Sequence, residues 1–296
     1  MGDPQTDCLF YFRGIPFMHQ IYNMEGLERV EDFEVMDDDV FITTYPKSGT
    51  TWMQVFLSLV YAEGDESQVK DIHNFDRAPW LEAMMDDVVK MKRPRLISSH
   101  LPFNLQPRML REGKGKVIHV LRNPKDTLVS FYHFHNITKF LESQSDFQTF
   151  VEQFIDAKVF IGSWFDHVRG WFENTHPNVL HVTYEDMTID LDAVTKKVCE
   201  FLGKTLTKQQ LESVKHHSSF NIMRDNPKTN FSQVEMFDFE KGTFMRKGKV
   251  GDWKDYFTVA QSERFDDVYR ERMVGLGLDF IWDLPARKPT CSVELV

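Results

Sequence analysis

Cysteine is scarce in this 296-residue chain, and Cys8, Cys199 and Cys291 stand far apart. Three scattered thiols form no disulfide framework and no zinc spacing, so the expectation is a reducing, cytoplasmic compartment. No apolar run is long enough to cross a bilayer and no signal peptide opens the chain, so no membrane role is expected. Positive charge is outweighed, with 35 Lys and Arg against 45 Asp and Glu and a formal net charge of −10. That balance excludes nucleic-acid binding by bulk charge, and any anion site has to be a local basic cluster. There are no carboxylate–histidine groups at metal spacing, so no metal is expected. Internal repeats and low-complexity tracts are also missing. Asn136-Ile137-Thr138 and Asn230-Phe231-Ser232 match the glycosylation triplet but lack an export signal. Met1-Gly2-Asp3-Pro4-Gln5-Thr6 fits the loose myristoylation pattern without a basic patch beside it.

Apolar residues make up 42% of the chain, ample for a sizeable core. Val40 to Tyr45, Arg95 to His100, Val117 to Arg122 and Val179 to Tyr184 have the composition of short buried strands. Helical patterns lie between them, at 147–157 and 160–173 among others. In the latter, Trp164, Phe165, Val168 and Trp171 mark one face. Alternation of this kind predicts an α/β fold with a central parallel sheet flanked by helices. We expect a single domain over 1–296, with a less regular leader at 1–31 and tail at 285–296. Phe10, Tyr11, Phe12, Ile15, Pro16 and Phe17 read as an irregular aromatic segment that either packs on the core or lines a pocket. Residues 71–87 read as a loop and a short helix. Residues 213–257 loosen into a lid studded with phenylalanines, and 258–273 form a final helix.

The chain is organised around Thr44-Tyr45-Pro46-Lys47-Ser48-Gly49-Thr50-Thr51-Trp52. A strand runs in, and a helix carrying Trp52, Val55, Phe56, Leu59 and Val60 at helical spacing runs out. The first N–H groups of a helix lack partners, and its dipole adds positive potential there, so the turn is an anion cradle. Gly49 admits close backbone approach, Ser48, Thr50 and Thr51 donate hydroxyls, and Lys47 supplies charge. A Walker loop places its Lys after the second Gly, and here Lys47 precedes a single Gly. Lys47, His100, Arg122 and Tyr184 all fall at the C-terminal ends of expected strands, where open α/β sheets bind ligands. Arg122 with Ser130, eight residues on, suits a second phosphate, as do Arg246 and Lys247 beside Gly248. A solvated charge pair remains the alternative for Arg246-Lys247, helix core for Trp52, and a structural role for His100.

Pro46 to Trp52 resembles the 5′-phosphosulfate loop of the cytosolic sulfotransferases. Arg246-Lys247-Gly248 and then Gly251-Asp252-Trp253-Lys254 resemble their second signature. The likeness runs from about Asp32 to about Phe280. It implies a donor, 3′-phosphoadenosine 5′-phosphosulfate, giving up its sulfuryl group to the hydroxyl or amine of a small, largely apolar acceptor, as in hormone or xenobiotic conjugation. By the match, Lys47, Ser48, Gly49, Thr50, Thr51 and Trp52 hold the phosphosulfate. Arg122, Ser130, Arg246, Lys247 and Gly248 clamp the 3′-phosphate. Trp52, Tyr184 and Phe220 flank the adenine, with Ser218 or Ser219 nearby. His100, in a His-Leu-Pro context, corresponds to the general base, and Lys47 and Ser130 assist it. Phenol-preferring relatives often carry Lys two residues before that His. Ser98 stands there, as in alcohol- and amine-accepting branches. Phe17, Phe75, Trp80, Phe134 and Phe244 are candidates for the acceptor pocket. Lys254 to Glu263 matches the family's K-x-x-x-T-V-x-x-x-E dimer motif, with Thr258 as an ordinary helix cap the alternative. A P-loop nucleotide kinase and a catalytically inactive nucleotide-binding homologue are the competing readings.

Overall fold

In the computed structural model, residues 8–284 are described, apart from 142 and 145. The expected tail and the myristoylation pattern therefore lie outside the described residues. Two short strands, β1 (Leu9–Phe12) and β2 (Ile15–Met18), form an antiparallel hairpin. Four more, β3 (Val40–Thr44), β4 (Leu96–Ser99), β5 (Lys116–Leu121) and β6 (Val179–Thr183), form a parallel sheet in the order β4-β3-β5-β6.

Strand alternation builds two cores. On β3, Phe41 faces one side while Val40 and Ile42 face the other. On β5, Val117 and Leu121 oppose Ile118 and Val120. Helix Thr50–Tyr61 covers the second face with Val55, Phe56, Leu59 and Val60, all buried as their spacing predicts. Helices Pro124–Ile137, Phe147–Ile155, Trp164–Glu173 and Val259–Arg272 cover the first. Each large apolar side chain fully buried this way contributes about 1.5–3 kcal/mol. A sheet covered on both faces leaves its strand ends as the open surface, and β3, β4, β5 and β6 all end at the same edge.

Helix starts follow local chemistry. Asn123 caps Pro124–Ile137 by accepting from the Asp126 N–H, and Pro124 sits where its missing donor costs nothing. Thr258 and Gln261 form a capping box before the last helix.

Four expectations are corrected. The leader is a hairpin, turned by Arg13 and Gly14 at φ 47° and 81°. Its four-residue strands carry aromatics on both faces, so no alternation announced them. Phe17 is fully buried and belongs to the core, whereas Met18 beside it reaches the cavity described below. The 71–87 stretch holds two helices rather than one, Asn74–Arg77 and Leu81–Lys90, the second running past the end expected for it. The loosened region opens with helices Lys208–His217 and Phe220–Asp225. Residues 226–251 then carry no helix and only one bridge, Phe237 to Thr138, at the end of helix Pro124–Ile137.

Candidate active site

The turn after β3 makes the cradle. Lys47 and Gly49 both adopt left-handed backbone, with φ 69° and 112°, which reverses the chain into helix Thr50–Tyr61. A Cβ on Gly49 would meet the Tyr184 ring at 3.0 Å, so the position is closed to larger residues by space as well as by φ. The Thr50 hydroxyl bonds that of Thr44 at 2.6 Å, tying the helix to its strand. The Ser48 hydroxyl is buried without a partner.

A cavity of about 790 Å³ opens at the strand ends. Lys47, Gly49, Thr50, Thr51 and Trp52 line it from the cradle. His100, Arg122 and Tyr184 line it from the ends of β4, β5 and β6. Ser130 enters from helix Pro124–Ile137, and Ser219, Phe220, Arg246, Lys247 and Gly248 close the far side. Ser218 is turned away, its hydroxyl spent on the Val214 carbonyl at 2.7 Å. Of the two serines expected near the adenine, Ser219 is the one in the cavity. Phe75, Trp80, Phe134 and Phe244 line it too, and Phe231 and Phe237 join them.

Arg122 donates to the carbonyls of Lys47 and Lys249, each at 3.2 Å, and lies 4.3 Å from the Tyr184 ring centroid. Neither Arg122 nor Lys47 has a carboxylate partner among the described residues. Burial, with Arg122 and Arg246 nearby, lowers the Lys47 pKa to about 7. Unpaired cations and the orphaned donors Trp52 Nε1 and Arg122 Nε form a donor set suited to an anionic nucleotide, whereas Ser48 is buried behind the turn and is not among the residues that line the cavity.

Sequence reasoning missed the acids that position Arg246, Lys247 and their loop. Arg246 pairs with Asp252, and Lys247 reaches the same carboxylate at 2.6 Å. Asp126, itself buried, accepts from the Gly251 and Trp253 N–H groups at 2.8 and 2.9 Å. It thereby moors the 246–253 loop to the start of helix Pro124–Ile137. Asp126 at the third position of a capped helix was a readable signal of capping, but its partner 125 residues away was not. Gly248 has φ 64°, and a Cβ there would lie 2.3 Å from the Phe220 ring, so this glycine permits ring and loop to touch. Trp52 and Tyr184 meet edge on, 5.3 Å between centroids.

His100 completes the site. Its Nδ1 lies 2.9 Å from the Thr44 carbonyl, which can only accept. Nδ1 therefore carries the hydrogen and Nε2 the lone pair. The backbone N–H of His100 donates to Glu82 at 2.7 Å, a buried acid whose pKa burial raises to about 7. Burial, with Lys47 adding repulsion, lowers the His100 pKa to about 4 despite the opposing bond to Thr44. The imidazole is neutral at physiological pH. Ser98 points elsewhere, bonding Gln54 and the Ala78 carbonyl at 2.8 and 2.9 Å.

Cations at parallel strand ends, a phosphate cradle and a neutral imidazole within one cavity define a group-transfer enzyme for anionic donors. A family model described as "Sulfotransferase domain" matches residues 37–277. The amine sulfotransferase of Oryctolagus cuniculus is 42% identical over 289 residues, covering 95% of this chain and 96% of its own. The 3-alpha-hydroxysteroid sulfotransferase of Cavia porcellus is 42% identical over 275 residues, 91% and 96% of the two chains. The crystal structure of mouse sulfotransferase SULT7A1 complexed with PAP superposes with a TM-score of 0.77 at 30% identity, over 90% and 96% of the two chains. The chain belongs to the sulfotransferase family.

Proposed function

We propose that His100, Lys47 and Ser130 carry out the sulfuryl transfer and that the surrounding cradle and clamp hold its donor. The chain is a sulfotransferase dependent on 3′-phosphoadenosine 5′-phosphosulfate. It transfers the sulfuryl group to the hydroxyl or amine of a small, largely apolar acceptor. The observation that carries the reading of the residues is the convergence of Lys47, Arg122, Ser130, Arg246 and His100 on one cavity.

The donor supplies an activated sulfuryl group on a phosphate leaving group. Sulfuryl transfer of this kind depends on position and charge more than on covalent help. Lys47 and the free N–H groups at the start of helix Thr50–Tyr61, with Thr50 and Thr51, hold the phosphosulfate end. Arg122, Ser130, Lys247 and the Gly248 amide hold the 3′-phosphate, with Arg246 oriented by Asp252. Trp52 and Phe220 form the walls for the adenine, with Tyr184 at its edge and Ser219 nearby. His100 takes the acceptor proton on Nε2, while the Thr44 carbonyl keeps the ring in the required tautomer. Lys47 stabilises the charge that develops on the departing phosphate oxygen. Labelled-sulfate transfer to a panel of phenols, alcohols, steroids and amines, with and without a chelator, tests this. A reaction fed by ATP and dependent on magnesium would favour the nucleotide kinase.

Residues 1–296 are proposed as one sulfotransferase domain of the cytoplasm. Among the described residues no helix is long and apolar enough to cross a membrane. A two-fold contact through Lys254 to Glu263 is also proposed. Val259 within it is 76% exposed, while Lys254 pairs with Asp283 of its own chain. Light scattering tests the dimer.

A further inference from the structure

Helix Pro124–Ile137 meets the 246–256 segment at two points. Asp126, Ser130 and His133 stand at i, i+4 and i+7, on one face of that helix. Asp126 moors the Gly251 and Trp253 N–H groups, and Ser130 lines the cavity. Further along the same face, His133 Nε2 lies 2.8 Å from the Tyr256 hydroxyl, which lies in turn 3.3 Å from Arg246 Nη1. A guanidinium only donates, so the Tyr256 oxygen accepts from Arg246 and its own hydrogen is left for His133. Burial, with Arg246 nearby and Asp252 opposing, lowers the His133 pKa to about 4, so the ring is neutral at pH 7 and Nε2 can accept. Neither His133 nor Tyr256 lines the cavity.

We propose that His133 and Tyr256 are positioning residues for Arg246, which hold its fork in register with Ser130 so that the 3′-phosphate meets a preset pair of donors. The proposal rests on the reading above that Arg246 and Ser130 clamp that phosphate. The ionic partner of Arg246 does not fix the fork alone. Asp252 is shared by Arg246, Lys247 and Lys249, and it reaches Arg246 at Nη2. A fork held at one nitrogen swings about that contact, and the Tyr256 hydroxyl at Nη1 supplies the second point. A phosphate drawn to Arg246 is repelled by Asp252 but not by a neutral hydroxyl.

The second point is itself anchored. Tyr256 follows the short turn Asp252–Asp255, whose start Asp126 moors. Its ring packs against Phe147 and His133, 5.8 and 5.2 Å between centroids. The hydroxyl is thus placed by packed helices as well as by its own loop. A donor fixed before the ligand arrives loses less freedom on binding, and only a nucleotide with a 3′-phosphate gains from that.

The test is calorimetric titration of adenosine 3′,5′-bisphosphate and of adenosine 5′-phosphate, at pH 7, into the full chain and its variants. Tyr256→Phe keeps the ring and loses the hydroxyl. It should weaken the bisphosphate by about 10-fold, the scale of one hydrogen bond to a charged group, and adenosine 5′-phosphate by less than about 2-fold. Made in an Arg246→Ala background, the same change should cost nothing further, because its effect runs through Arg246. His133→Leu should weaken the bisphosphate severalfold. His133→Gln, whose amide oxygen accepts from the hydroxyl, should restore most of that loss. The proposal is overturned by an equal loss for both nucleotides in Tyr256→Phe, by no loss there, or by a further loss in the Arg246→Ala background. Like behaviour of His133→Leu and His133→Gln also overturns it, and if His133→Leu does not fold, the Tyr256→Phe comparisons decide. A parent that binds both nucleotides alike overturns the clamp and the proposal with it. A parent that prefers the bisphosphate, with Tyr256→Phe preferring it equally, overturns the proposal alone.

Discussion

His100 Nδ1 and the carbonyl oxygen of Thr44 lie 2.9 Å apart, and that one contact fixes which nitrogen of the imidazole is basic. Thr44 is the last residue of β3 and His100 follows β4, so the parallel pairing of these two strands builds the contact. Removing the ring removes the proposed base and leaves the cradle alone. His100→Ala should lower kcat by about 10²–10⁴-fold. Affinity for adenosine 3′,5′-bisphosphate should change little, as read by calorimetry on the same preparation.

The pH profile follows from two lowered pKa values. His100, at about 4, is already a base above pH 5, so the acid limb of kcat/KM should lie below that. Lys47, at about 7, is charged below that pH and loses its proton above it, so kcat/KM should fall as pH rises through neutrality. Bound anionic donor favours the ammonium, so the basic limb of kcat should lie at higher pH than that of kcat/KM. Lys47→Arg, which stays charged, should abolish the basic limb whatever its rate. A limb that persists in this variant would assign the titration to another group.

Asp126 anchors the loop at Gly251 and Trp253, and Arg246 pairs with Asp252 between them, so the two should act together. Asp126→Ala leaves the Gly251 and Trp253 N–H groups without their acceptor, each costing about 1–3 kcal/mol if unsatisfied. It should lower the melting temperature and weaken the bisphosphate nucleotide. Arg246→Ala should weaken that nucleotide by about 10–100-fold, the worth of one charge-assisted bond, with little effect on adenosine 5′-phosphate. An unchanged preference for the 3′-phosphorylated nucleotide would remove Arg246 from the clamp.

Ser98→Lys, which restores the residue common in phenol-preferring relatives, should not produce their site. Ser98 is fully buried and shares a polar network with Gln54 and the Ala78 carbonyl. An ammonium placed there has no carboxylate partner in that network, and the variant should lose about 3 kcal/mol or more in a urea melt. Stability equal to the parent would mean that the lysine escapes into the cavity.

What the sequence made legible was the part governed by local rules. Val117 to Arg122, Asn123 and Pro124 show a buried strand, a cap and a helix start in consecutive residues, and the structure has them there. The convergence of Lys47, His100, Arg122 and Tyr184 followed from one topological fact, that parallel strands end at a shared edge. Less visible were relationships across long separations. Nothing near Asp126 announces Gly251, nothing near Gly248 announces Phe220, and the β1–β2 hairpin lacks the alternation that marks longer strands. The use of Ser98 as a structural tie depends on Gln54, 44 residues earlier. Pairings of this sort are set by packing of the whole chain, so local pattern carries little trace of them.

The central claim is that cations far apart in sequence, from Lys47 to Lys247, grip both phosphates of one nucleotide. Competition calorimetry of adenosine 3′,5′-bisphosphate against adenosine 5′-phosphate measures this most directly. The account predicts at least about 100-fold tighter binding of the bisphosphate, from two or more charge-assisted contacts. Equal affinity for the two nucleotides would contradict it.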